Sequence, residues 1–312
     1  MRALLIVNPH ATSTTPLRRD VIVRALSSAV ELEVVQTRYR GHATSLAAGA
    51  RNAGFGLVLT LGGDGTVNEA VNGILGDGAG GTGSAASVPA LAALPGGNAN
   101  VFTRGAGLPA DPVDATGQVL QALAEDRYRS IGLGLAGDRY FTFNAGLGLD
   151  AEVVRAVDGH RARGRAATSV LYLRMILRQF YRVTDRRHPA LMLERDGHPP
   201  VGPLFLGIVS NTAPWTYLGR RPVYTSRQAA FERGLDLFAL RSLGTVSTLR
   251  TASQLLSATE TPHGRAVLTL HDQPEMTLRS ARPVAFQVDG EYVGEQESVR
   301  FRSVPDALRI VV

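Results

Sequence analysis

Two short stretches concentrate residue types able to act on a phosphate ester. The first is Gly62-Gly63-Asp64-Gly65-Thr66-Val67-Asn68-Glu69, directly after the apolar run Leu57–Leu61. Glycines let the backbone approach phosphate oxygens, and a helix start offers N–H groups to them. Thr66 adds a hydroxyl, and Asp64 can hold a cation that bridges nucleotide phosphates. A glycine-rich turn alone is an ordinary structural device; strand, Gly-Gly-Asp-Gly-Thr and helix in succession is far more specific. The second stretch is Val288-Asp289-Gly290-Glu291-Tyr292, where two carboxylates flank a glycine after an apolar run. A carboxylate within hydrogen-bond reach of a hydroxyl can take its proton as phosphate is transferred. Asp-Gly is equally a strong turn signal, so these residues by themselves also describe a plain hairpin.

The elements around the first stretch alternate. Strands are expected at Ala3–Val7, Glu31–Gln36, Leu57–Leu61 and Pro89–Leu94. Helices are expected at Leu17–Ser28, at Ala43–Ala53 with a cap from Thr44 or His42, at Val67–Leu75, and from Pro112 to about Ala124. Strands alternating with helices predict a parallel, doubly wound sheet. The Gly/Ser-rich stretch 76–88 reads as a loop inside that domain, since a strand follows it. Around Tyr128 the pattern changes. Short strands then come often, at Ile131–Leu135, Tyr140–Ala145, Ala190–Arg195, Leu204–Ser210, Gly234–Leu240, Ala266–Leu270, Met276–Arg279, Val284–Val288 and Val299–Arg302. They predict a second, mostly antiparallel domain, interrupted by a helix over Arg165–Arg182.

Composition narrows the chemistry. The 312 residues are 44% hydrophobic and 19% charged, a globular balance for two domains. There is no cysteine, which excludes disulfides, thiolate metal sites and cysteine nucleophiles. There is no lysine either: all 33 basic side chains are arginine, so neither a P-loop lysine nor a Schiff-base lysine exists. Phosphate must be held by backbone N–H groups, arginine or metal. The seven histidines show no zinc spacing, and no Gly-x-Ser-x-Gly elbow occurs. No apolar run is long enough to span a bilayer, and the run Ala3–Val7 is too short for a signal peptide. The expectation is a cytoplasmic protein. Its net charge of +6 favours anionic partners, but no nucleic-acid-binding module is recognisable.

The segment Gly62–Ile74 resembles the nucleotide-binding signature of the diacylglycerol kinase catalytic-domain family, which includes sphingosine and ceramide kinases and, distantly, NAD kinases. Asn68-Glu69 and Asn72-Gly73 have the lipid-kinase form. Asn8-Pro9 resembles the family's opening turn beside the nucleotide, and Thr37 with His42-Ala43 the end of the second strand and the next helix. Pro95-Gly96-Gly97-Asn98-Ala99-Asn100 resembles its second glycine loop, Phe143–Asp150 a turn in the second domain, and Asp289-Gly290-Glu291 its late acidic motif.

The resemblance covers nearly the whole chain. It implies a Rossmann-like α/β domain over 1–128 with a C-terminal return at 303–312, and a β-sandwich over 129–302 that binds lipid. The active site would lie in the interdomain cleft. It implies ATP and magnesium as cofactors, Asp289 or Glu291 as the base with Asp64 as a further catalytic residue, and Asn8, Pro9, Thr37, Gly62–Thr66, Asn68, Glu69, Gly97, Asn98 and Asn100 around the nucleotide. Diacylglycerol is the implied acceptor; a sphingoid or other long-chain alcohol, or NAD, is the alternative.

Two departures open a third reading, a catalytically weak nucleotide- and lipid-binding protein. Val101 stands where the family usually has aspartate, and Arg233 where the magnesium loop usually has one. A guanidinium cannot ligate a cation, which leaves Asp236 or Glu232 as substitute ligands, or no site at all. Finally, Arg174, Arg178 and Arg182 recur on one face of the expected helix 165–182, a pattern suited to the inner face of an anionic membrane and equally to a packed helix with its arginines in water. A homodimer is compatible with all of this.

Overall fold

In the computed structural model, residues 1–11, 15–76, 87–161, 188–257 and 259–312 are described. The Gly/Ser-rich loop and the expected helix 165–182, with Arg174, Arg178 and Arg182, therefore lie largely or wholly outside the described residues. The chain divides into two compact units, Met1–Leu133 with Asp138–Tyr140 and Val304–Val312, and Gly134–Gly137 with Phe141–Ser303.

In the first unit, β1 (Arg2–Val7), β2 (Glu31–Gln36), β3 (Leu57–Gly62) and β4 (Ala90–Pro95) form a parallel sheet in the order β2-β1-β3-β4. Beyond β4, Ile310 of the last strand pairs with Leu91 in parallel. β3 and β4 are buried at every position, as unbroken apolar strands of a sheet covered on both faces must be. β2 is the exposed edge and carries Glu31 and Glu33. Helices α1 (Pro16–Ser27), α2 (His42–Asn52), α3 (Asp64–Leu75), α4 (Val101–Gly105) and α5 (Pro112–Ala124) alternate with the strands. Ile22, Leu26, Leu59, Leu94 and Val119 meet in one core.

Local sequence explains most boundaries here. Asp111 caps α5 by accepting from the N–H groups of Val113 and Asp114. For α2 the structure corrects the expected Thr44 or His42 cap. Its N-cap is Gly41, at φ 87° with no side-chain cap; Glu69 of α3 instead accepts from the N–H groups of Gly41 and Ala43 at 2.7 and 3.1 Å. α3 also starts three residues earlier than expected, inside the glycine motif itself.

The second unit is mostly antiparallel. β7 (Asn144–Gly148), β10 (Leu206–Ser210), β13 (Leu235–Leu240) and β14 (Val267–Gln273) pair in sequence. The long strand β15 (Glu275–Val288) joins β7 through Phe286–Val288 and β8 (Leu191–Arg195) through Thr277–Ser280. A register break between Arg279 and Val284 separates the two halves, and side chains from both halves share one core that includes Leu147, Leu193, Leu237, Leu278, Val288 and Phe301. β15 turns at Asp289-Gly290 into β16 (Glu291–Val311), whose end is the returning strand of the first unit.

Three described helices were not anticipated: α4, α6 (Leu149–Arg161) and α7 (Thr245–Leu255). The expected strand Tyr140–Ala145 is split into β6 (Arg139–Phe141) and β7, with Thr142 and Phe143 between them.

Candidate active site

In the first unit the C-terminal ends of β1, β3 and β4 lie side by side, the edge of an open α/β sheet where ligands bind. The two glycine loops issue from neighbouring strands and touch backbone to backbone. The Gly96 N–H donates to the Gly62 carbonyl at 2.7 Å. A Cβ on Gly97 would sit 2.6 Å from the Gly63 Cα, and one on Gly62 2.6 Å from Thr66 Oγ1. At Gly97 no side chain fits without moving the Gly63 backbone, and at Gly62 the Thr66 side chain would have to give way. Gly63 opens α3 without a side-chain cap, so this helix start is left to offer its N–H groups and positive dipole end to an anion.

The other expected nucleotide residues divide into two groups. Asn8 follows β1; its amide Nδ2 donates to Thr66 Oγ1 at 3.3 Å, and its Oδ1 accepts from the His10 N–H. Thr37 is half-buried at the end of β2, its N–H donating to the Val7 carbonyl. Asn100, at φ 47°, closes the second loop by bonding the Gly97 N–H and carbonyl at 2.9 and 2.8 Å. Asp64 accepts from the Phe102 N–H at 3.1 Å and thereby caps α4 from across the first loop. These residues shape the edge.

Asn68 and Glu69 act differently from the expectation. Asn68 is fully buried. Its Oδ1 accepts two bonds from Arg139, at 3.0 and 2.6 Å, and its Nδ2 donates to the Tyr140 carbonyl at 2.9 Å. Asn72 completes the grip, accepting from the Tyr140 N–H and donating to its carbonyl. The pair fastens Asp138–Tyr140 to α3. Glu69 is committed to the start of α2. Nothing in the spacing Asn68-Glu69-x-x-Asn72 gives these partners, because they come from 26 or more residues away.

In the second unit the acidic turn is a two-residue hairpin, with Asp289 at φ 48° and Gly290 at φ 73° between paired Val288 and Glu291. It is also more than a turn. The Asp289 carboxylate is buried and accepts four bonds: from Thr142 N–H and Oγ1 at 2.7 and 2.8 Å on one oxygen, and from the N–H groups of Phe143 and Asn144 at 3.0 and 3.1 Å on the other. Those donors account for the break between β6 and β7. Burial pushes the Asp289 carboxyl above its ordinary range, and the backbone and Thr142 donors pull it back. Every partner is a donor, so the cage fits the ionised form. Such a carboxylate has no lone pair suitably placed for a substrate proton. Glu291, one residue past the turn and only half-buried, is the group of the pair able to meet a hydroxyl.

Sequence reasoning did not find the residues behind the turn. Gln287 Oε1 accepts from the Gly290 N–H at 2.9 Å, while its Nε2 donates to Asn144 Oδ1 and to Asp150 Oδ2, both at 2.8 Å. Burial raises the Asp150 carboxyl to about 6, with the Gln287 bond opposing the shift. The early signal was partial: Asn144 and Asp150 fall in the Phe143–Asp150 stretch, and Gln287 is a polar residue in an otherwise apolar strand.

The expected magnesium ligands do not fit that ion. Asp236 is buried and engaged on both oxygens: Oδ1 by the Asp272 N–H at 2.9 Å, Oδ2 by the Ser226 hydroxyl and by His271 Nδ1 at 3.1 Å. Magnesium demands near-octahedral oxygen ligation and keeps several waters, which this enclosed carboxylate cannot supply. Glu232 and Arg233 lie exposed on the preceding turn. Among the described residues no group of three His, Cys, Asp or Glu side chains is placed to hold a metal.

Part of the chain matches a known family. Residues 2–132 match the family described as the diacylglycerol kinase catalytic domain. The match covers most of the first unit and less than half of the chain. The chain is similar to a probable lipid kinase YegS-like of Chromohalobacter salexigens, 35% identical over 49% of this chain and 45% of that protein. It is similar to a diacylglycerol kinase of Bacillus subtilis, 24% identical over 94% of this chain and 90% of that protein. A solved structure of a putative diacylglycerol kinase from Bacillus anthracis superposes with a TM-score of 0.74 at 20% identity, covering 99% of this chain and 96% of that one. That likeness shows the fold across both units. The matched stretch thus spans under half of the first relative's length and nine-tenths of the second's.

Proposed function

We propose that the protein transfers the terminal phosphate of ATP to the hydroxyl of a membrane lipid, diacylglycerol first among them, giving a lipid phosphate such as phosphatidic acid. The observation that carries this reading is the pair of glycine loops in backbone contact at the ends of β3 and β4, beside the uncapped start of α3. Such an arrangement holds a polyphosphate without lysine. Magnesium enters with the nucleotide, where it neutralises charge between the phosphates; Asp64, which already organises both loops, is the carboxylate on that edge.

On the acceptor side, Glu291 takes the proton of the lipid hydroxyl as the new O–P bond forms and the bond to ADP breaks. Asp289 holds the turn that presents Glu291. Diacylglycerol as acceptor is supported by the names of the relatives, and a sphingoid alcohol is the nearest competitor. The test is transfer of labelled phosphate from ATP, with magnesium, to diacylglycerol, sphingosine, ceramide and NAD in detergent micelles, using wild type and Asp64→Ala. Product on diacylglycerol that is lost with Asp64→Ala supports the proposal. Product on NAD alone refutes it, and ATP binding without product on any acceptor returns the protein to a non-catalytic binder.

A further inference from the structure

Helix α7 (Thr245–Leu255) is built inside out. Its buried positions are polar, Thr251 at 4% and Gln254 at 2% exposure, while Val246 and Leu249 stand 83% and 63% exposed. The reason for the polar inner face is visible: Gln254 Oε1 accepts from the His263 N–H at 3.2 Å, and its Nε2 lies 3.1 Å from His263 Nδ1. Nothing comparable accounts for the outer face. Val246 and Leu249, three residues apart, share one side of the helix, and Arg250 follows four residues after Val246 on the same side.

The neighbouring hairpin adds to this face. β11 (Thr216–Leu218) and β12 (Arg221–Val223) carry Leu218 at 40% exposure, with Arg220 and Arg221 exposed beside it. The hairpin is fastened to the end of α7: the Arg221 guanidinium donates to the Leu256 carbonyl, and the Tyr224 N–H to the Leu255 carbonyl at 3.2 Å. From Val246 to Leu256 is about 15 Å at 1.5 Å per residue, so the hairpin arginines are fastened within about 15 Å, along the helix axis, of the apolar pair.

Its charge is of one sign. No Asp or Glu occurs between Asp196 and Glu232, or between Asp236 and Glu260. Among the described residues no ion pair engages Arg220, Arg221, Arg241 or Arg250. We infer that this patch is where the protein docks on an anionic lipid bilayer, Val246 and Leu249 entering the headgroup layer and the arginines lying among acidic headgroups. Exposed aliphatic side chains with exposed arginines nearby, none of them in an ion pair among the described residues, match such a surface in both hydrophobicity and charge. A second copy of this chain fits worse, because a two-fold contact would set the same arginines against themselves.

The inference deepens the proposed function by naming the surface on which the acceptor is met. The expected contact through Arg174, Arg178 and Arg182 lies outside the described residues, and this surface is argued from residues whose exposure is observed. The test is co-sedimentation of the full chain with vesicles of phosphatidylcholine alone and of phosphatidylcholine with phosphatidylserine. Wild type should bind the acidic vesicles at least tenfold more tightly. Val246→Ser with Leu249→Ser, and separately Arg220→Gln with Arg250→Gln, should each weaken that binding roughly tenfold or more, with the melting temperature and phosphate transfer in detergent micelles unchanged. Equal binding to both vesicle types, or variants that bind as wild type, overturns the inference. So does loss of a dimer in the variants by sedimentation velocity, which would give the face to self-association. The micelle assay keeps failure here separate from failure of the kinase reading.

Discussion

Replacing Asp150 by asparagine isolates the buried acid behind the Asp289-Gly290 turn. The carboxyl is 8% exposed, and burial raises it from 3.8 to about 6. Between those values the folded chain keeps a proton that the unfolded chain has released. The stability associated with that proton is therefore fully present below pH 3.8 and is lost as pH rises through about 6. The shift of about 2 units at 1.36 kcal/mol each is a loss of about 3 kcal/mol at neutral pH, of which about 2 kcal/mol should appear between about pH 4.5 and 7.5. Asparagine keeps an acceptor oxygen for Gln287 Nε2 and carries no charge to desolvate. Asp150→Asn should then be more stable than wild type by about 2–3 kcal/mol above about pH 7, converge with it near pH 4, and retain phosphate transfer, since Gln287 still holds the Gly290 N–H. Urea unfolding of both proteins across that range measures this directly. Parallel pH profiles, or a variant less stable than wild type at neutral pH, would refute the argument that burial strains this carboxylate.

Other outcomes follow from the same geometry. Glu291→Gln should lower transfer by at least 100-fold with an unchanged melting temperature, while Asp289→Ala, which strands three backbone N–H groups and the Thr142 hydroxyl, should cost on the order of 3–5 kcal/mol of stability as well as activity; a stable, active Asp289→Ala would contradict the cage. Gly97→Ala should abolish ATP binding measured by calorimetry, because its methyl would meet the Gly63 backbone at 2.6 Å. Because Asp236 is enclosed by Ser226, His271 and the Asp272 N–H, chelation of magnesium should leave the melting temperature of the nucleotide-free protein within about 1 °C. A drop of several degrees would show a structural ion.

The alternation of strands and helices, the glycine loops and the switch to frequent short strands near Tyr128 were all legible in the sequence, because each is a local pattern: a period, a breaker or an apolar run states itself within ten residues. The same locality made Gly62-Gly63-Asp64-Gly65-Thr66 and Asp289-Gly290-Glu291 visible as chemistry. What those residues do individually was decided by tertiary contacts. Asn68 and Glu69 sit inside the motif yet hold Arg139–Tyr140 and the start of α2. Asp289 and Glu291 look equivalent two residues apart, and only the fold sets Thr142–Asn144, about 146 residues earlier, around one of them. Asp236 offered itself as a metal ligand until its neighbours across the sheet proved to be donors. The inverted face of α7 depends on His263, which lies outside the helix. A side chain's type and spacing fix the bonds it is able to make; which of them it makes depends on partners the chain brings from far along its length.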